Sequence, residues 1–201
     1  MPSQYRWFVL AAGLTTLAGP TCRPVSPRAF EVPHATPDVR PTPLVVAPEE
    51  GERRVRRLRT SAPAALTAPF ILKVDGRNGG STDLVMGTED IPPGQAIAAH
   101  RHLVADEIIF VHRGAGVVAL GGREAAFGPG ATIYIPKDVR VAVRNTGAEP
   151  LSIAFVFSKP GFEAYLRDTS VPEGQRVVPL SDVERAAIRA RHAGHTRYEQ
   201  P

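Results

Sequence analysis

The sequence predicts a mainly β fold: one small antiparallel barrel or sandwich, with a disordered N-terminal tether before it and a short helical segment after it. Two observations lead there. From about residue 64, apolar runs of five to eight residues recur at nearly even spacing, divided by glycine- and proline-rich turns. Before that point, prolines crowd a stretch without sustained apolar periodicity. The chain has 201 residues, of which 43% are hydrophobic. That suffices for one well-buried domain but not comfortably for two.

The chain divides in order into four segments. Residues 1–21 carry one arginine, Arg6, then an apolar run from Trp7 to Gly19. The run is too short to span a bilayer, which needs about 20 residues, and fits the core of an export signal. Residues 22–63 read as an extended linker rich in proline and arginine. Its "PLVVAP" has strand-like residues, but the flanking prolines argue against a strand there. Its "GERRVRRLRT" carries five arginines, with no aromatic residue between them on which a base would stack. It is expected to be a solvated charged segment, so no nucleic-acid partner is expected.

Residues 64–160 hold the barrel. Its strands are expected in "PFILKVDG", "DLVMGTEDI", "DEIIFVHRG", "GVVALGG", "ATIYIP", "VRVAVRN" and "PLSIAFVFS". In "VRVAVRN" the alternation puts Val139, Val141 and Val143 on one face, toward the core. Residues 161–201 form the helical extension. "PGFEAYLRD" is short and helix-like; "SDVERAAIRARHAG" is stronger, with Ser181 as cap, Glu184 as capping-box partner and Gly194 as terminator.

The chemistry concentrates in "PPGQAIAAHRHLVADEIIFVHRGAG". His100 and His102 lie two apart, so both imidazoles share one face of a strand. Glu107 opens the next strand on the face of Ile109 and Val111. Two neutral imidazoles and a carboxylate suit Fe, Mn, Ni or Zn as divalent ions, and leave positions for substrate or water. His112 falls on the opposite face of its strand. His192 and His195 are expected as surface residues near a helix C-terminus. The apolar lining expected around the site (Ile109, Val111, Tyr134, Val141, Val143) points to a small organic molecule.

These residues resemble the two motifs of the cupin superfamily. Gly94, His100, His102, Glu107 and Gly114 match the first motif without departure. Gly130, Pro136 and Asn145 match the second, but Asp138 stands for its glycine and Val141 for its histidine. The resemblance covers roughly Pro69 to Ser158. It implies a single jelly-roll barrel, a metal held by His100, His102 and Glu107, and a homodimer paired through its sheets. It leaves three functions open. One is a metal-dependent oxidoreductase of dioxygenase type, or an isomerase, with Glu107 as ligand or catalytic base. A second is a metal-free barrel for a small ligand. The third is a structural assembly module.

The sole cysteine, Cys22, follows the apolar run, which resembles a bacterial lipoprotein signal. Gly19, Pro20 and Thr21 replace the usual residues before it. This implies an exported bacterial protein, periplasmic or held at the membrane through a lipid on Cys22.

Overall fold

The computed structural model describes residues 41–58 and 68–198. The expected export signal, the lipidation site at Cys22 and the linker up to residue 40 lie outside the described residues. No described helix is long and apolar enough to cross a membrane.

Among the described residues, twelve strands and two helices follow in order: β1 (Glu52–Arg56), β2 (Phe70–Val74), β3 (Val85–Ile91), β4 (Ala96–His102), β5 (Glu107–Arg113), β6 (Gly116–Leu120), β7 (Arg123–Phe127), β8 (Thr132–Ile135), β9 (Val141–Asn145), β10 (Leu151–Phe157), α1 (Phe162–Asp168), β11 (Ser170–Pro172), α2 (Asp182–Arg191) and β12 (Thr196–Tyr198). They form two antiparallel sheets, ordered β11-β1-β2-β3-β10-β5-β8 and β12-β4-β9-β6-β7. This is the mainly β jelly roll that the sequence predicts.

Strict alternation sets the core. In β10, Leu151, Ile153, Phe155 and Phe157 are buried, while the residues between them are half-buried. β3, β5 and β9 repeat the pattern with Val85 and Ile91, Ile109 and Val111, and Val141 and Val143. Fully burying one such side chain contributes roughly 1.5–3 kcal/mol, so register is strongly specified.

Within the stretch expected as a solvated linker, Glu52–Arg56 instead forms β1 between β2 and β11. The barrel therefore begins before residue 64. Arg53, Arg54 and Arg56 lie in β1 and Arg57 directly follows it, each with a carboxylate partner. Arg53 pairs with Glu49 and Glu173, Arg54 with Glu52, Arg56 with Glu89, and Arg57 with Glu184. Arg167 from α1 joins the same network through Glu52 and Asp75. Period-two placement sends neighbouring strand arginines such as Arg53 and Arg54 to opposite faces, where they meet different acids.

The C-terminal extension also differs from a purely helical one. α1 and α2 are present, but β11 returns to the larger sheet and β12 to the smaller. At α2 the capping box is complete: the Ser181 hydroxyl accepts from the Glu184 N–H, and the Glu184 carboxylate accepts from the Ser181 N–H. The helix stops at Arg191, short of Gly194, because His192 leaves the helical path as its C-cap.

A candidate metal centre

β4 and β5 belong to different sheets and are joined by the short turn 103–106. That turn brings Glu107, the first residue of β5, back beside the histidines of β4. One donor atom from each of His100, His102 and Glu107 lies within 4.8 Å of the others. His100 Nε2 is 3.0 Å from His102 Nε2, and His102 Nε2 is 3.1 Å from a Glu107 carboxylate oxygen. All three side chains are buried.

The tautomers follow from these contacts. His100 Nδ1 lies 2.8 Å from the Ala98 carbonyl oxygen, so it carries the proton and donates. His100 Nε2 is left as a bare lone pair aimed at the cluster. Burial first, then the adjacent His102, pushes the His100 pKa down to about 3, so the ring is neutral at physiological pH. His102 Nδ1 is buried without a hydrogen-bond partner among the described residues. The cluster thus brings together two imidazole nitrogens and one carboxylate, a donor set that fits a divalent ion. Such a ligand would normally have its second ring nitrogen bonded; His102 is the exception here.

Val141 occupies the remaining side. It is 1% exposed and is the cross-strand partner of His100. On the opposite edge of β4, Tyr198 of β12 is the other partner of His100. Its ring stacks on the imidazole with centroids 5.2 Å apart. Phe162 of α1 meets His102 edge-on at 4.4 Å. Neither aromatic carries a strong signal in the sequence: Tyr198 lies in a three-residue strand, and Phe162 follows a glycine-containing turn.

Beside the cluster lies a cavity of about 30 Å³, lined by Ile109, Val141, Val143, Phe155 and Phe157, with the Arg56–Glu89 ion pair also in its wall. It has room for one or two waters. Of the expected lining residues, Ile109, Val141 and Val143 are there. Val111 is buried but does not line the cavity. Tyr134 points outward and is 56% exposed, which corrects its assignment to the pocket. Ile135 pairs with Glu107, so Ile133 and Ile135 take the inner face of β8 and Tyr134 takes the outer.

His112 is exposed, on the face opposite Glu107. His195 is exposed as well. His192, expected on the surface, is buried, with Nε2 2.8 Å from the Asp168 carboxylate. It joins α2 to α1 and stands apart from the cluster.

The remaining motif residues are structural. Asn145 is fully buried; its amide donates to the Ile91 and Glu149 carbonyls, and its side-chain oxygen accepts from the Gly147 N–H. Asp138, standing for the motif glycine, keeps the left-handed backbone with φ 60°. Aspartate tolerates that region better than most residues.

The two-sheet jelly roll contains a segment similar to known cupin domains. Residues 87–157 match the Cupin domain family. Over 76 residues the chain is 36% identical to Protein SchB of Streptomyces halstedii, covering 38% of this chain and 55% of SchB. Over 91 residues it is 30% identical to the dimethylsulfoniopropionate lyase DddW of Ruegeria pomeroyi, covering 45% of this chain and 59% of that protein. The chain therefore spans little more than half the length of these two relatives. A solved structure described as a predicted oxalate decarboxylase from Thermotoga maritima aligns over 58% of this chain and all of its own length. Its TM-score is 0.50 at 19% identity, a likeness of fold.

Proposed function

We propose that this cupin domain binds a divalent transition metal through His100, His102 and Glu107 and acts on a small organic molecule. The observation that carries the reading is the convergence of three buried donor atoms within 4.8 Å. When bound, an Fe, Mn, Ni or Zn ion would supply Lewis-acid polarisation of a substrate oxygen, or redox chemistry in the case of iron or manganese. The protein's own groups hold and shield the centre. Ala98 fixes the His100 ring through Nδ1. Phe157 and Phe162 pack on His102 and exclude water from it. Glu107 is placed to serve as ligand or, released from that role, as a base.

This reading makes the protein an oxidoreductase of dioxygenase type or an isomerase. Metal analysis of the full-length protein after anaerobic reconstitution tests it. About one equivalent is expected in the native protein and none in His100→Ala or Glu107→Ala. Less than a tenth of an equivalent in the native protein would leave a metal-free ligand barrel or an assembly module. Export, a lipid tether on Cys22 and a homodimer belong to the same proposal. Their support is the sequence pattern, joined for the dimer by the outward Ile108, Phe110 and Tyr134 on the larger sheet. An intact Met1 on the cellular protein would sink export.

A further inference from the structure

A second pocket, of about 240 Å³, lies against the outside of the candidate centre. It shares five lining residues with the inner cavity: Arg56, Glu89, Ile97, Leu166 and Tyr198. Tyr198 and Leu166 therefore stand between the two spaces. The inner cavity holds only a water or two, whereas the outer pocket has the volume for an organic molecule.

Its charge is uneven. Four arginines line it, Arg56, Arg57, Arg185 and Arg189, with Glu89 as its one acid. Arg56 is neutralised by the buried Glu89. Arg57 and Arg185 have side chains 20% and 13% exposed, but their acids, Glu184 and Asp182, are 48% and 83% exposed. Solvent screens those two carboxylates more than it screens the guanidinium groups facing the pocket. Among the described residues the guanidinium of Arg189 has a neutral partner, the Tyr165 side chain, to which it hydrogen-bonds, and no carboxylate partner; its Nε is buried without a hydrogen-bond partner. Its guanidinium lies 5.5 Å from the centre of the Tyr198 ring. The other walls are apolar, from Ile97, Leu58, Leu166 and Leu180, or aromatic, from Tyr165 and Tyr198.

We propose that this outer pocket binds an organic carboxylate, whose anionic head meets Arg189 and whose apolar body lies against Tyr198 and Leu166. A guanidinium presents a planar fork of donors that matches a carboxylate, and one bonded to a neutral tyrosine rather than to an acid keeps its positive charge uncompensated. The pocket's role as a substrate subsite rests on the metal-centre reading above; anion binding itself does not.

The test uses the full-length protein kept in chelator, so its outcome does not depend on metal. Benzoate is the probe, with benzamide as its neutral counterpart, and binding is followed by NMR shifts of the tyrosine rings. Benzoate is expected to bind at least tenfold more tightly than benzamide. Arg189→Gln should weaken benzoate at least tenfold, and Arg189→Lys by less. Arg185→Gln, at another arginine of the pocket wall, serves as a second variant if Arg189→Gln lowers the melting temperature. Equal affinity for benzoate and benzamide, or unchanged affinity in both glutamine variants, would overturn the proposal. So would displacement of benzoate by equimolar inorganic phosphate, which would mark a site for inorganic anions. Benzoate binding in a protein that takes up no metal would uphold the pocket and reject the metal-centre reading. Metal uptake without benzoate binding would do the reverse.

Discussion

Val141 is the cross-strand partner of His100. The pairing puts an apolar side chain, 1% exposed, where the second cupin motif places a histidine. Because β9 and β4 are hydrogen-bonded neighbours on the same sheet, a side chain at 141 sits directly beside the imidazole of His100. Val141→His is expected to add a fourth donor and raise metal affinity about tenfold, or about 1.4 kcal/mol. Competition against a chromophoric chelator measures it. Unchanged affinity would mean that the ring at 141 cannot reach the cluster.

Metal should also stabilise the fold, because ligands brought together from β4 and β5 exist as a site only in the folded chain. At a free concentration about 100 times Kd, one bound ion stabilises by about 2.7 kcal/mol. A rise in melting temperature on adding Mn or Zn is expected, reversed by chelator. In His102→Ala the rise should vanish. A rise of the same size in that variant would place the ion elsewhere.

Much of this site was legible from residue order, since His-x-His and a carboxylate five residues on define a shared face and a turn back to it. The barrel was legible too, because its inner strands alternate cleanly. What escaped has physical causes. β1 is built of arginines, whose burial depends on acids more than thirty residues away, such as Glu89 and Glu173. β7 reads "REAAF", poor in β-branched residues, and is mostly exposed. β11 and β12 are three residues each, too short to show a period. Tyr134 escapes because β8, only four residues long, leaves its parity to be set by pairing with β5. The arginine pocket is assembled from β1, α2 and the loop after β1, so no local sequence pattern contains it.

Gly114 tests the tightness of the β5–β6 turn. It has φ 84°, and a Cβ there would lie 2.6 Å from the Pro150 carbonyl oxygen and 2.7 Å from the Leu151 Cα. Both are backbone atoms that cannot swing aside. Gly114→Ala is expected to cost about 1–3 kcal/mol from strain alone. Chemical denaturation measures it; a loss under 0.5 kcal/mol would show that the turn has room to adjust.

The α2 cap gives a smaller and cleaner effect. Ser181→Ala removes the acceptor for the Glu184 N–H and one partner of the Glu184 carboxylate. A loss of about 1 kcal/mol is expected. Ser181→Asp should retain most of the stability, since a carboxylate also caps. Equal losses in the two variants would mean that the serine acts through packing rather than capping.

Asp168 joins the two helices and should make their contact acid-sensitive. Burial alone would push its carboxyl up, but hydrogen bonds from His192 and Arg191 hold it below its ordinary value of 3.8. The folded state therefore binds this proton more weakly than the unfolded chain does. Its contribution is fully present above the unfolded value and is lost as pH falls through the lower folded value. The native protein should lose melting temperature below about pH 4 more steeply than Asp168→Asn, whose side chain does not titrate. At pH 7 the variant should be the less stable, because His192 and Arg191 lose their anionic partner. Parallel pH profiles for the two proteins, offset by a constant, would show that Asp168 does not carry this acid sensitivity.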